Sequence, residues 1–177
     1  GKSLSENIAV ERERLTEVRN RATHIIDTTD MPTAELKEKI WKLYSGNGGV
    51  ERMIVLVQSF GFKHGLPLDS DMVLDVRFLP NPFYEEDLKR LTGNDQPVAD
   101  FICRFPQTFQ FLKKEEEMLE FLLPQYISEG KSQLVISVGC TGGQHRSVFI
   151  ANRLYEFLRT QGYAVQLTHR DLQRKNK

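Results

Sequence analysis

The sequence predicts an α/β fold, with a largely parallel sheet flanked by helices and with ligand loops at the carboxyl edge of the strands. Short apolar runs without polar interruption, such as Met53–Ser59 and Gln133–Gly139, are typical of strands buried on both faces. Segments with helical periodicity separate these runs, as crossover connections between parallel strands require. Glycine-bearing or proline-bearing segments follow the strands, at the sheet edge where ligands of such folds collect.

Each element has a local justification in composition and periodicity. Strands are predicted at Met53–Ser59, Met72–Arg77, Gln133–Gly139 and Ala164–Thr168. Helices are predicted at Leu4–Arg21, from Asp30 and Pro32 to about Tyr44, around Glu85–Leu91 and Pro97–Arg104, at Phe109–Ile127 and at Ser147–Arg159. The run Gly46-Asn47-Gly48-Gly49 interrupts the pattern, so we predict two domains, residues 1–49 and residues 50–177.

Composition restricts the class of protein. The chain is 40% hydrophobic and 27% charged, as in ordinary globular proteins. Its apolar runs fall far short of the roughly 20 residues that cross a bilayer, and no secretory signal pattern opens it. The two cysteines, Cys103 and Cys140, lack metal-ligand spacing. We therefore expect a cytoplasmic protein with no membrane partner, no metal and two reduced thiols.

The net charge of zero hides an asymmetry along the chain. Residues 53–130 carry 7 Lys and Arg against 13 Asp and Glu, whereas residues 131–177 carry 8 against 2. The last quarter is therefore electropositive and suited to anions. Pairing of these cations with the acidic middle of the chain is an equally good interpretation of charge alone.

The segment after the third predicted strand has the pattern of an anion-binding loop. Strand, glycine-rich turn and helix start occur in direct succession, which directs backbone N–H groups and the helix dipole at an anion. Glycines allow the close approach, arginine offers a bidentate fork, and the hydroxyl groups can donate or cap the helix. The candidate binding residues are Cys140, Thr141, Gly142, Gly143, His145, Arg146 and Ser147.

Two further loops reach the same predicted edge. The first follows Met53–Ser59 and the second follows Met72–Arg77, so both are expected beside the glycine-rich loop. Asp75 would bond a sugar hydroxyl or hold Arg77 in place. The candidate ligand contacts from these loops are Ser59, Lys63, Asp75, Arg77 and Asn81.

The spacing Cys140-x5-Arg146-Ser147 also resembles the phosphate loop of cysteine-dependent phosphatases. There the cysteine attacks phosphorus and the arginine binds the equatorial oxygens, and a helix N-terminus favours the thiolate. Two features weigh against this alternative: Gly139 stands where those enzymes usually have histidine, and no general-acid loop is recognisable.

Three motifs together resemble the RapZ/YvcJ family of bacterial proteins: Ser59-Phe-Gly-Phe-Lys-His-Gly65, Asp75-Val-Arg-Phe-Leu-Pro-Asn-Pro82 and Gly139-Cys-Thr-Gly-Gly-Gln-His-Arg-Ser147. The resemblance covers about Glu11 to Arg174. Residues 1–49 resemble the end of the family's N-terminal P-loop nucleotide-binding domain, and residues from about Arg52 onward resemble its C-terminal domain. No G-x-x-x-x-G-K-[ST] sequence occurs in the chain, so the P-loop itself is absent.

The resemblance implies a regulatory C-terminal domain that senses glucosamine 6-phosphate or a related phosphorylated amino sugar or nucleotide sugar. It implies small RNA and regulatory proteins as partners, an oligomeric state, and ATP or GTP hydrolysis only through the missing P-loop, so we expect no cofactor and no activity in this segment. RNA contacts are expected from the basic end of the chain, at Arg170, Arg174, Lys175 and Lys177. Residues 53–177 sum to zero charge, which favours sugar-phosphate sensing over RNA delivery.

Overall fold

The computed structural model describes residues 4–44 and 53–174. Contacts within the chain divide it into two compact units, residues 1–49 and residues 50–177. The first unit consists of α1 (Leu4–Arg21) and α2 (Thr33–Tyr44). No side chain of α1 is buried, so its apolar residues face outward in the part of the chain that the structure describes.

The second unit is built on one sheet of four strands, β1 (Ile54–Gly61), β2 (Met72–Asp75), β3 (Gln133–Cys140) and β4 (Ala164–His169). The strands lie in the order β2-β3-β1-β4, and every neighbouring pair is parallel. The predicted α/β class with a parallel sheet is therefore confirmed.

Burial distinguishes β3 from the edge strands, whereas β1 is buried without interruption only from Ser59 to Gly61. In β3 every residue after Gln133 is buried, as its uninterrupted apolar sequence predicts for a strand covered on both faces. In the edge strands β2 and β4, partly buried residues instead alternate with exposed ones. In the register of the central pair, Phe60 lies opposite Gly139 and Gly61 opposite Cys140, so the loops after β1 and β3 begin at the same level.

Three helices flank the sheet: α3 (Gln96–Cys103), α4 (Pro106–Ser128) and α5 (Arg146–Thr160). Helix α5 packs against β1, β3 and β4 and buries eight residues, including Leu154 and Leu158. Helices α3 and α4 contribute Val98, Ile102 and Leu119 to the same core.

Most of the predicted bounds shift by one to three residues, and one predicted helix does not form. Strand β2 stops at Asp75 rather than Arg77, because the Asp75 carboxylate accepts the backbone N–H of Arg77 at 2.9 Å and turns the chain. The helix predicted around Glu85–Leu91 is wrong, since this segment forms successive turns. The Glu85 carbonyl oxygen accepts the N–H groups of Leu88 and Lys89 at 3.0 Å, and the Leu88 carbonyl oxygen accepts the N–H of Leu91 at 3.0 Å.

Both cysteines are free thiols, as predicted, with Cys140 buried and Cys103 half-buried. Among the described residues, every helix is too short or too polar to cross a membrane.

The fold generates a stability prediction for the α5 face. Leu154 is fully buried, so Leu154→Ala should lower the free energy of unfolding by about 2–5 kcal/mol through lost burial and an unfilled cavity. Leu68 is 100% exposed, and Leu68→Ala is the matched control with an expected change within about 0.5 kcal/mol. Urea unfolding of both variants measures the difference, and equal losses would contradict the burial described for α5.

Candidate anion-binding site

A cavity of about 390 Å³ opens at the carboxyl ends of β1 and β3. It lies where the sequence places the ligand loops, and all three loops contribute to its wall. Its lining residues are Lys63, Asn81, Phe83, Tyr84, Cys140, Thr141, Gly142, Gln144, His145 and Arg146. The volume is within the range of small-molecule sites, about 300–1,000 Å³.

The loop from Cys140 to Arg146 packs backbone to backbone against the end of β1. A Cβ atom on Gly61 would lie 2.6 Å from the carbonyl carbon of Gly142, and one on Gly143 would lie 2.6 Å from the Gly61 nitrogen. Gly143 also has φ of 77°, a conformation that other residues rarely adopt. Glycine is therefore required at Gly61 and Gly143 because the two loops touch.

Cys140 lies at the base of the loop with its sulfur bonded inside the protein. The Sγ atom is 3.1 Å from the Ser147 hydroxyl oxygen and accepts the N–H of Gly143 at 3.3 Å. Only 3% of Cys140 is exposed. The expectation that Ser147 caps α5 is wrong, because His145 occupies the cap position and the Ser147 hydroxyl group faces Cys140.

Arg146 lines the cavity but does not present its whole guanidinium group to it. Nη1 donates to the carbonyl oxygens of Arg77 at 2.7 Å and Leu79 at 2.8 Å, and Nη2 lies 3.4 Å from the Thr141 hydroxyl oxygen. Nε is buried without a partner. Burial lowers the pKa of Arg146 from its ordinary value, although the nearby Cys140 opposes the shift.

His145 is 6% exposed and sits between the glycine-rich loop and the turns at 85–91. Burial lowers the pKa of His145 below its ordinary value of 6.5, despite the hydrogen bonds to Leu88 and Leu91, so the ring is neutral at pH 7. Its Nε2 atom is buried and has no hydrogen-bond partner among the described residues.

The candidate ligand contacts at the end of β2 and in the following loop have two different positions. One lines the cavity, and the other two form an ion pair at the surface. Asn81 lines the cavity. Arg77 instead forms an ion pair with Asp75 at 2.6 Å, and its guanidinium carbon lies 4.0 Å from the centre of the Phe62 ring. The hydrogen bonds from Arg77 hold the pKa of Asp75 below its usual value. Asp75 thus holds Arg77 in place, the structural one of its two predicted roles.

The loop after β1 contributes Lys63 to the cavity wall, whereas Ser59 is placed elsewhere. Ser59 is fully buried within β1, and its hydroxyl oxygen lies 2.9 Å from Nδ1 of His169, its register partner on β4. The prediction that Ser59 contacts the ligand is therefore corrected, because the strand directs this side chain toward the neighbouring strand.

The basic end of the chain is folded against the site as far as Arg174. Arg170 donates to the Gly65 carbonyl oxygen at 2.7 Å and to the buried Asp171 carboxylate at 2.8 Å, and Arg174 lies 3.2 Å from the same carboxylate. Asp171 therefore anchors both arginines to the fold. Lys175 and Lys177 lie outside the described residues.

Comparison with known proteins identifies the family. Residues 53–173 match the model of the RapZ C-terminal domain, and residues 1–48 match that of the RapZ-like N-terminal domain. The chain belongs to the RapZ family. Relatives include proteins named nucleotide-binding protein from Alkaliphilus oremlandii, 54% identical over 96% of this chain, and from Clostridium kluyveri, 52% identical over 96%. The chain spans 58% of the length of both relatives.

Some residues of this RapZ-family site carry no clear signal in the sequence. Phe83 and Tyr84 line the cavity from a 3₁₀ turn that begins at Pro82, and isolated aromatic residues after a turn have no specific pattern. Gly93 lies against the loop, where an added Cβ would clash with the His145 carbonyl oxygen. Gln144 lies within the glycine-rich motif, but the motif predicts no role for its amide group.

A matched pair of substitutions tests the contact between Gly61 and Gly143. Gly143→Ala and Gly162→Ala both place alanine at positive φ, but only the former brings a Cβ atom against neighbouring backbone. Gly143→Ala should therefore lower the free energy of unfolding by about 1–3 kcal/mol more than Gly162→Ala. Denaturant unfolding provides the measurement, and equal costs would argue against close packing of the loops.

Proposed function

We propose that the unit formed by residues 50–177 binds a phosphorylated amino sugar or a nucleotide sugar in this cavity and acts as the sensing module of a longer protein. One observation carries the proposal. Arg146 is 5% exposed, lines the cavity and bonds to backbone carbonyl groups, yet within the described ranges it forms no salt bridge and has only a longer-range attraction to Asp75. An anionic ligand would supply the missing negative charge.

The burial of the Arg146 charge has an energetic cost. A buried cation is destabilising unless an opposite charge or full hydrogen bonding offsets its lost hydration. Two carbonyl groups satisfy Nη1 of Arg146, but Nε stays without a partner. Lys63 and the N-terminus of α5 add positive potential on the same wall. A phosphate group is the ligand chemistry that uses all three features.

The rest of the cavity suits a sugar. Phe83 and Tyr84 present aromatic rings that can pack against the apolar face of a sugar ring, and Asn81 and Gln144 offer amide groups for its hydroxyl groups. The cavity of about 390 Å³ has room for a hexose phosphate. The resemblance of the three loops to the RapZ/YvcJ family supports this ligand class.

We propose that the full-length protein has further properties of the family. The relatives are named nucleotide-binding proteins, and the P-loop signature is absent from these 177 residues, so we assign ATP or GTP binding to residues outside this chain. On the same basis, we propose that the full-length protein binds small RNA and regulatory proteins and assembles into a homo-oligomer. Arg170 and Arg174 would contact RNA only where their pairing with Asp171 leaves them accessible.

Lys63 provides the direct test of ligand binding. Lys63→Met should weaken the binding of glucosamine 6-phosphate and of inorganic phosphate about tenfold or more, because a hydrogen bond to a charged group contributes about 1.5–3 kcal/mol. Lys113→Met is the matched control, since Lys113 lies exposed on α4 beside Glu117. Isothermal titration calorimetry measures both variants. Unchanged affinity in Lys63→Met, or no binding by the wild-type chain, would contradict the proposed function.

Phosphatase chemistry is a second candidate, favoured by the position of the Cys140 sulfur, which accepts the Gly143 N–H at 3.3 Å and lies 3.1 Å from the Ser147 hydroxyl oxygen. However, no Asp or Glu lines the cavity in the described part of the chain to act as general acid.

We therefore expect Cys140→Ser to retain its affinity for glucosamine 6-phosphate within about threefold, because Arg146, Lys63 and the loop form the binding surface. We also expect no hydrolysis of p-nitrophenyl phosphate by either protein. Turnover by the wild-type chain that disappears in Cys140→Ser would establish the phosphatase instead.

A further inference from the structure

Gln144 connects the cavity to the C-terminal segment of the fold. It lines the cavity between Gly142 and His145. Its side-chain nitrogen donates to the carbonyl oxygen of Arg174 at 2.8 Å and lies 3.5 Å from that of Leu172. A single side chain thus contacts both the proposed binding site and the last described residues.

The segment 170–174, which we call the C-terminal strap, is held to the loops at further points. The Asp171 carboxylate is fully buried and accepts the Gly61 N–H at 2.8 Å. A Cβ atom on Gly143 would lie 3.0 Å from the Asp171 Cβ. Burial alone would raise the pKa of Asp171, but hydrogen bonds from Arg170 and Gly61 outweigh it and lower the pKa. The strap therefore packs directly on both loops that form the cavity.

We propose that occupation of the cavity by a phosphorylated ligand tightens the C-terminal strap through Gln144, so that ligand binding controls how firmly residues 170–174 are held against the two loops. This inference rests on the proposed function. The strap carries Arg170 and Arg174. Tightening the strap therefore changes the exposure of these two positive charges at the protein surface.

Electrostatic attraction and conformational entropy both favour positive coupling between ligand binding and closure of the strap. An anion in the cavity attracts the cationic strap, and a ligand that fixes Gln144 removes freedom that the strap would otherwise have to lose. Coupling of this kind is reciprocal, so the strap must strengthen ligand binding by the same factor by which the ligand stabilises the strap.

Hydrogen exchange measures the coupling in the intact chain. The backbone N–H of Arg174 donates to the Asp171 carbonyl oxygen at 3.2 Å and reports on closure of the strap. Saturating glucosamine 6-phosphate should slow its exchange about fivefold or more, the lower end of typical allosteric coupling. In Gln144→Met, which keeps the side-chain length but removes the amide group, this slowing should disappear at ligand concentrations that saturate the variant. Gln110→Met, on the exposed face of α4, should retain it.

A second measurement uses reciprocity and does not depend on the Gln144 variant. A chain that ends at Asp171 should bind glucosamine 6-phosphate about fivefold more weakly than the full chain. Binding by the wild-type chain without slower exchange at Arg174, or equal affinity in the truncated chain, would overturn the coupling and leave the proposed function standing. Absence of any binding by the wild-type chain would overturn both.

Discussion

The buried guanidinium group of Arg146 is the interaction on which the arrangement of the site depends. It stands at the first turn of α5 and donates to carbonyl groups of Arg77 and Leu79, so one side chain ties the loop after β3 to the loop after β2. A cation in this position is costly unless its hydrogen bonds are satisfied, and the carbonyl groups satisfy only part of them. The same residue therefore organises the loops and leaves the site deficient in negative charge.

A second constraint, contact between glycine backbones, brings the remaining loop into place. Gly61 and Gly143 touch without side chains between them, which lets the end of β1 pack beside the glycine-rich loop. Lys63 follows Gly61 by two residues, and its backbone N–H donates to the Thr141 carbonyl oxygen at 3.2 Å. The position of Lys63 on the cavity wall is thus a consequence of how closely the two loops approach.

The sequence predicted the sheet well because burial on both faces leaves a simple signal. Uninterrupted apolar residues marked β1 and β3, and the glycines after them marked the loops. Local pattern failed where tertiary contacts compete with it. The segment Glu85–Leu91 has helical periodicity, but its backbone forms only isolated turns, such as the bond from the Leu91 N–H to the Leu88 carbonyl oxygen. Ser59 follows the same logic, since only the register with His169 shows which way its hydroxyl group points.

The basic end of the chain shows a different limit of sequence interpretation. Composition identified an electropositive segment, but one acidic residue within it, Asp171, decides its structure by pairing with Arg170 and Arg174. A charge count includes Asp171 as one negative charge. It does not show that this carboxylate is buried and paired with two arginines.

The Cys-x5-Arg spacing also acquires a structural explanation that separates it from catalysis. Gly139 stands where phosphatases usually have histidine, and a Cβ atom there would lie 2.5 Å from atoms of the Phe60 and Phe62 rings. The aromatic rings therefore occupy the space that a larger residue would need, and Phe62 also stacks under Arg77. The sulfur is covered and the lining of the cavity, within the described residues, contains no carboxylate. Under the proposed function, Cys140 is a hydrogen-bonded packing residue beneath a loop that holds phosphate.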